Sequence, residues 1–182
     1  MLIHRGFDLG MPACALTIGN FDGVHRGHQA MLALLTNEAR HRGLPSCVMT
    51  FEPHPRDHFA RKAGRPEAAP ARIATLRDKL AELERCGIEH VLVLRFDDRF
   101  ASISAEAFIQ KVLVEGLRAR YVLVGDDFSF GAKRAGNYAM LDDAGARSGF
   151  DVARMLSYEV HGLRVSSTAV RNALADGDMA QA

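Results

Sequence analysis

The sequence has few cysteines, no long apolar run and almost no excess of charge. Its three cysteines, Cys14, Cys47 and Cys86, lie far apart and form neither a CxxC pair nor the closely spaced framework of a disulfide-rich secreted protein. We expect reduced thiols, although the spacing leaves one long-range bridge open. No apolar stretch approaches the roughly 20 residues of a membrane span, and residues 1–10 lack the apolar core of a signal peptide. These absences predict a cytoplasmic protein with no membrane partner.

The charge balance also excludes some functions. The 182 residues include 23 basic and 22 acidic side chains, a formal net charge of +1. This argues against binding of nucleic acid by bulk electrostatics, but it allows a local basic pocket for a phosphorylated small molecule. Hydrophobic residues make up 48% of the chain and charged residues 25%, as in ordinary globular proteins. We therefore expect one folded domain over residues 1–182.

Short apolar runs alternate with helical patterns along the chain. The sequence predicts strands at 14–18, 47–51, 91–96, 121–124 and 152–156, with helices over about 24–40, 73–87, 104–112, 138–147 and 166–174. This alternation predicts an α/β fold with a parallel sheet covered on both faces, whose ligands lie beyond the carboxyl ends of the strands. Four prolines between residues 52 and 72 predict a long loop there.

A glycine-rich segment, GNFDGVHRGH at residues 19–28, joins the first predicted strand to the first helix. Its glycines allow tight turns, and the free N–H groups of the following helix attract an anion. His25 and His28 share one face of the first helical turn, with Gly27 between them, and can donate to phosphate oxygens. The spacing is not the dinucleotide-binding GxGxxG, and no GxxxxGK[ST] occurs, so a zinc site and a purely structural turn stay open as alternatives.

A hydroxyl cluster, Ser166, Ser167 and Thr168, opens the last predicted helix, and Arg171 follows one turn later. Hydroxyls, free backbone N–H groups and a guanidinium that converge on one place suit a polyphosphate. The alternative is an ordinary helix cap followed by an exposed arginine.

Two further segments follow predicted strands. In GDDFSFG at residues 125–131, Asp126 can accept ribose hydroxyls or help hold a metal, whereas Phe128 and Phe130 either border a ligand or fill the core. The basic residues just after it, Lys133 and Arg134, are either solvated or in contact with phosphates. In TFEPHPR at residues 50–56, two prolines stiffen an aromatic-bearing turn, which suits a flat ring or is a plain surface turn.

In this order, GNFDGVHRGH, TFEPHP, VGDDFSFG with KRAG, and SSTAVR closely resemble the adenylyltransferase module of bacterial bifunctional riboflavin kinase/FAD synthetases, from about residue 13 to residue 174. HxGH is typical of nucleotidylyltransferases in general, and the other three together are more specific to the flavin branch. The resemblance implies a Rossmann-like nucleotidylyltransferase fold with a doubly wound parallel sheet. It implies an enzyme that joins FMN and ATP, with Mg²⁺, to give FAD and pyrophosphate by in-line attack of the FMN phosphate on the α-phosphate.

The resemblance also implies roles for individual residues. His28, His25 and Arg171 would be catalytic, with His28 nearest the reacting α-phosphate. The residues implied to bind ATP are Gly19, Asn20, Phe21, His25, Gly27, His28, Gly125, Asp126, Ser166, Ser167, Thr168 and Arg171. Those implied to border the flavin are Asp22, Phe51, Pro53, His54, Pro55, Asp127, Phe128 and Phe130. The ligands of the metal stay open between Asp126, Asp127 and no protein group.

In the resembling family a riboflavin kinase module follows and supplies FMN, and we find no counterpart of it in residues 1–182. We therefore expect a single FMN adenylyltransferase domain that does not phosphorylate riboflavin. A truncated protein is the preferred interpretation, and a natural single-module enzyme is the alternative. Two other functions stay open: a nucleotidylyltransferase for another phosphorylated acceptor, and a module that binds flavin nucleotides with little turnover.

Overall fold

The structure, a computed structural model, describes residues 1–6, 12–160 and 162–182. Part of the N-terminal segment that lacks the apolar core of a signal peptide therefore lies outside the described residues. In chain order the elements are β1 (Leu2–His4), β2 (Ala15–Ile18), α1 (Arg26–His41), β3 (Ser46–Glu52), α2 (Pro55–Lys62), α3 (Leu76–Arg85), β4 (His90–Arg95), α4 (Asp98–Ala101), α5 (Ala105–Ala107), β5 (Tyr121–Gly125), α6 (Tyr138–Ser148), β6 (Asp151–Met155), β7 (Glu159–Val160), β8 (Leu163–Arg164) and α7 (Ser167–Ala175). A π-helical segment, Phe108–Gly116, continues α5, and 3₁₀ turns lie at Pro66–Ala68 and Ala132–Arg134.

Six strands form one sheet in the order β1-β4-β3-β2-β5-β6, and every neighbouring pair is parallel. The predicted parallel sheet and its five predicted strands are therefore confirmed. The central strand β2 pairs with β3 on one side and β5 on the other. Because all strands run the same way, the segments that follow β2, β3, β5 and β6 emerge at one edge of the sheet.

Helices cover both faces of this sheet, as the alternating pattern predicts. On one face α1 and α3 pack against the strands, and Leu32 and Leu35 of α1 are buried there. On the other face the π-helical segment and α6 bury Val112 and Leu113 in a second apolar cluster. Within the described ranges, no helix is both long and apolar enough to cross a membrane.

Three strands, β1, β7 and β8, are not among the predicted ones because they are too short to show a pattern. The edge strand β1 has three residues, of which Leu2 and Ile3 are exposed, so it lacks the buried run that predicts a strand. Backbone pairing with β4 holds it in place, together with a hydrogen bond of 2.9 Å between His4 and His90. The hairpin of β7 and β8 has two residues in each strand.

The predicted loop over residues 52–72 is wrong, because α2 occupies its first half and a 3₁₀ turn lies beyond it. Proline lacks an N–H, but Pro55 stands at the start of α2, where no intrahelical hydrogen bond needs one. The ring of His54 caps the helix, since its Nδ1 accepts the N–H of Arg56 at 3.1 Å. Pro66 likewise opens the 3₁₀ turn. Two of the four prolines in this stretch, Pro55 and Pro66, therefore begin helical turns instead of excluding them.

Candidate active site

A cavity of about 670 Å³ opens at the edge of the sheet where β2, β3, β5 and β6 end. Small-molecule sites in proteins have volumes of this order. Sequence-predicted residues that line it are Gly19, Asn20, Phe21, His25, Gly27, His28, Phe51, His54, Pro55, Gly125, Asp126, Asp127, Phe128, Phe130, Ser166, Ser167, Thr168 and Arg171. Two other predicted site residues, Asp22 and Pro53, do not line it. Segments distant in sequence therefore meet at one place.

The two histidines of the first motif form a stacked pair at the start of α1. His25 is the N-cap of the helix, and its Nδ1 accepts the backbone N–H of His28 at 3.3 Å. Since Nδ1 is the acceptor, a neutral His25 ring carries its proton on Nε2. The two ring centroids are 3.6 Å apart, and the ring planes differ by 16°. The helical spacing that predicted a shared face is confirmed.

Both imidazoles are neutral at physiological pH in the ligand-free protein. Burial, reinforced by the neighbouring His25, lowers the pKa of His28 to about 3, and burial also lowers the pKa of His25. The Nδ1 atom of His28 is buried and has no hydrogen-bond partner among the described residues. The pair therefore offers neutral N–H donors to a ligand instead of standing positive charge.

Asp22, one of the residues predicted to border the flavin, lies behind the cavity wall as a buried ionic centre. Only 1% of its surface is exposed, and its carboxylate accepts the N–H groups of Ile73 and Ala74 at 3.1 and 3.2 Å. The guanidinium of Arg171 also donates to it, and Arg72 lies 3.7 Å away. Burial opposes ionisation, but these N–H groups and cations outweigh it and lower the pKa of Asp22.

The start of α7 is attached to this centre. Ser166 caps the helix, since its Oγ accepts a backbone N–H three residues on at 3.1 Å. Ser167 Oγ donates to the backbone carbonyl of Asp22 at 3.1 Å. Arg171 donates through Nε to the carbonyl of Ala71 at 2.6 Å, while part of it still faces the cavity. The hydroxyl cluster is thus both a helix cap and a cavity wall, so its two interpretations are compatible.

Comparison with known proteins now assigns the chain to a family, because the FAD synthetase family profile matches residues 10–169. The chain belongs to the FAD synthetase family. Curated proteins named bifunctional riboflavin kinase/FMN adenylyltransferase match it from Escherichia coli K12, at 49% identity over 99% of this chain and 56% of that protein, and from Haemophilus influenzae, at 46% over 93% and 53%. The chain spans about half the length of these relatives.

Solved structures agree with the α/β fold of this chain. A Streptococcus pneumoniae protein described as a macrolide-efflux protein superimposes with a TM-score of 0.83 at 26% identity, over 98% of this chain and 57% of that one. The pantoate-beta-alanine ligase of Francisella tularensis, with a TM-score of 0.54 at 11% identity, covers 100% of this chain and 80% of its own, and shows the fold alone. The Rossmann-like nucleotidylyltransferase fold and the family resemblance are therefore confirmed.

The two aspartates of GDDFSFG lie under the β7–β8 hairpin. Asp126 accepts the hydroxyl of Ser157 at 2.5 Å, and this bond lowers the pKa of its carboxyl. Arg164 of β8 reaches both Asp126 and Asp127 at 3.4 Å. The hairpin thereby closes one side of the cavity with an ionic contact. The sequence offers no signal for this contact beyond the charges themselves.

The two phenylalanines of the same motif lie between the core and the cavity. Phe130 is buried in the core beneath the cavity and packs against Phe108, with ring centroids 5.3 Å apart. Phe128 stacks on Phe130 at 5.5 Å, and both rings reach the cavity. The same two side chains therefore pack in the core and line the cavity.

Sequence reasoning missed part of an aromatic wall on the side of the FEPHP turn. Phe51 at the end of β3 lies 5.8 Å from Phe96 and 5.6 Å from Phe100, measured between ring centroids, and all three line the cavity. Phe59 of α2 adds a fourth ring, 5.7 Å from Phe96. Phe96 directly follows β4, so the rule that ligands lie beyond the carboxyl ends of strands could have identified it.

His54, a predicted flavin neighbour, is held firmly in this wall. Burial, with a contribution from the charge of Arg72, lowers the pKa of His54 to about 4, so the ring is neutral at physiological pH. Its Nδ1 already caps α2. His54 is therefore available to a ligand only through its remaining ring edge.

Proposed function

We propose that this chain transfers AMP from ATP to the phosphate of FMN, giving FAD and pyrophosphate. One observation carries the proposal: the N-termini of α1 and α7, which we call the anion-binding wall, and the aromatic wall line the same cavity. Both substrates combine phosphates with flat rings, and the product FAD contains two rings joined through a diphosphate. The printed names of the curated relatives include the same activity.

The anion-binding wall supports placement of the triphosphate of ATP. The N-termini of α1 and α7 both face the cavity, and helix N-termini attract phosphate through free N–H groups and the helix dipole. We assign His25 and His28 as neutral N–H donors and Arg171 as the permanent cation. In this assignment Ser167 and Thr168 hold the phosphates that leave.

The aromatic wall supports placement of the flavin. Phe51, Phe96, Phe100 and Phe128 present ring faces and edges of the kind that stack with a planar heterocycle. The ring of Pro55 stiffens the adjacent turn. In this assignment the phosphate of FMN extends from the aromatic wall toward His28.

The reaction needs no protein nucleophile. An oxygen of the FMN phosphate attacks the α-phosphorus of ATP in line, a new P–O bond forms, and the bond to the bridging β-phosphate oxygen breaks and leaves pyrophosphate. Catalysis then consists of positioning and stabilisation of negative charge. Neutral imidazole donors suit this task, since they strengthen their hydrogen bonds as charge grows on the transferred phosphate.

Magnesium fits this site as a metal carried by the phosphates. Among the described residues no group of three or more His, Cys, Asp or Glu side chains is placed to hold a metal ion. Mg²⁺ at nucleotide sites commonly binds substrate phosphates together with one or two carboxylates. We propose Asp126 and Asp127 as those carboxylates, since both line the cavity and Ser157 keeps Asp126 ionised. The metal would supply charge neutralisation of the triphosphate.

We assign residues 1–182 to one adenylylating domain, because the six main strands belong to one sheet with this cavity at its edge. FMN would be supplied by a riboflavin kinase activity, which the names of the relatives include.

Incubation with FMN, ATP and Mg²⁺, followed by chromatographic separation of the flavins, tests the proposal. We expect FAD, and we expect His28→Ala to lower the rate about a hundredfold, as removal of a transition-state donor does. His41→Ala is the matched control, since His41 is exposed at the far end of the same helix. A complete lack of FAD at high enzyme concentration, or a preference for another phosphorylated acceptor, would show that the proposal is wrong.

A further inference from the structure

A lysine is fully buried behind the wall of the cavity. Lys79 lies on the inner face of α3 with 0% of its surface exposed, a rare environment for a lysine without a compensating partner. Its ammonium donates to Thr50 Oγ1 at 3.4 Å, near the end of β3. None of the roles assigned above uses this side chain. A buried charge is costly, so its position calls for a reason.

The hydrogen bonds of Thr50 connect this lysine to the first motif. Thr50 is itself 0% exposed, and its Oγ1 donates to the backbone carbonyl of Asn20 at 3.2 Å. An ammonium can only donate, so it occupies a lone pair of the threonine oxygen and directs the single hydroxyl proton to Asn20. The lysine therefore sets the direction of the bond that holds this carbonyl.

The carbonyl of Asn20 stands at the start of a strained turn. Phe21, the next residue, has a φ of 48°, in the left-handed region that ordinary side chains seldom adopt. The ring of Phe21 packs against His28, with centroids 4.9 Å apart. Such a conformation persists only where surrounding contacts hold it, and the bond from Thr50 is one of them.

Charged groups of both signs lie near Lys79. Burial, together with the cation of Arg72, lowers the pKa of Lys79, while the carboxylates of Glu52 and Asp22 oppose this shift. The lysine charge in turn contributes to the low pKa of His28. The positive charge of Lys79 therefore disfavours protonation of His28.

We propose that Lys79 is a positioning residue of the nucleotide site, which acts through Thr50 on the carbonyl of Asn20 and so holds the turn that presents Phe21 and His28. This inference rests on the proposed function, from which it takes ATP as the nucleotide that binds at this site. The lysine touches no substrate in this account, so its effect depends entirely on the hydroxyl between it and the turn.

Two substitutions at Thr50 test the relay with little change of shape. Thr50→Val removes the hydroxyl, and Thr50→Ser keeps it. We expect Thr50→Val to lower kcat/KM for ATP about tenfold, the size of effect typical of one lost hydrogen bond to a charged partner. Thr50→Ser should remain within about twofold of the wild type, and KM for FMN should hardly change in either variant.

Lys79→Met tests the lysine, with Lys111→Met as the matched control on an exposed surface. We expect Lys79→Met to lower kcat/KM for ATP about as much as Thr50→Val does, and the double variant to lose no more than the worse single variant, since the two residues act in series. Additive losses would overturn the relay. So would wild-type kinetics in either Thr50→Val or Lys79→Met, with folding checked by Tm.

Calorimetric binding of a non-hydrolysable ATP analogue separates this inference from the proposed function. If FMN is not the acceptor, no FAD forms, yet Thr50→Val and Lys79→Met should still bind the analogue about tenfold more weakly than Thr50→Ser. Equal affinities of the three variants would contradict the positioning role, whatever the acceptor is.

Discussion

Asp22→Asn should destabilise this protein strongly, because the carboxylate joins three parts of the chain. It accepts backbone N–H groups from Ile73 and Ala74 and a guanidinium N–H from Arg171, with 1% of its surface exposed. An asparagine is nearly isosteric, but it is neutral and turns an NH₂ group toward one of these donors. The change therefore removes a buried ionic partner without removing volume.

The magnitude follows from the type of contact. Removal of one partner from a buried ion pair costs about 3–5 kcal/mol, and the amide oxygen of asparagine keeps some of the hydrogen bonding, so we expect a loss of about 3 kcal/mol in the free energy of unfolding. For a chain of this size each kcal/mol lowers Tm by about 2–4 °C, so Tm should fall by about 6–12 °C at pH 7.

The stabilising contribution of Asp22 should decrease as the pH falls. The pKa of Asp22 is lowered in the folded protein, so its contribution to stability is present above the ordinary aspartate pKa and disappears as the pH falls through the folded value. The Tm difference between wild type and Asp22→Asn should therefore narrow below roughly pH 4.

Differential scanning calorimetry measures both effects, and Asp142→Asn on the exposed surface of α6 is the matched control, with a Tm expected within about 2 °C of the wild type. Arg171→Met should lose less stability in the Asp22→Asn background than in the wild type, because the pair is already broken. An Asp22→Asn protein as stable as the control would refute the idea of a buried ionic centre.

Three further predictions concern single residues. In the ligand-free protein, NMR signals of the His28 ring should not titrate between about pH 5 and pH 8, since its pKa is about 3, and a midpoint near 6.5 would contradict the burial argument. Phe96→Ala should raise KM for FMN about tenfold and leave KM for ATP nearly unchanged in steady-state kinetics, as loss of one aromatic contact does; equal effects on both would argue against a flavin wall. Thr75→Ala removes the capping box with Asp78 and should cost about 1 kcal/mol in denaturant unfolding, and no change would show that the cap contributes nothing.

Much of the fold was predictable because the strands are apolar and their helices are amphipathic. The structure has β2 at Ala15–Ile18 and α7 at Ser167–Ala175, within a residue or two of the predicted bounds. Parallel strands follow from this alternation, and parallel strands bring the GNFDGVHRGH and GDDFSFG segments to one edge. About half of the residues that line the cavity were therefore predicted from the sequence.

The features that were not predictable depend on contacts between distant segments. Pro55 was interpreted as a loop residue, yet the cap from His54 makes it the first residue of α2. Asp22 reads in the sequence like any polar residue of a binding loop, and only the packing of α7 against residues 71–74 shows it to be an ionic centre. Lys79 belongs to an otherwise ordinary amphipathic helix, and its burial is visible only once β3 is in place.

Transfer of the α-phosphate of ATP tests the central claim most directly. The chain should be incubated with FMN, Mg²⁺ and ATP labelled either at the α-phosphate or at the γ-phosphate. We expect the α-label to appear in FAD and the γ-label in pyrophosphate, at one pyrophosphate for each FAD. Release of the γ-label as orthophosphate, or an α-label that never enters FAD while both substrates bind, would contradict adenylyl transfer to FMN.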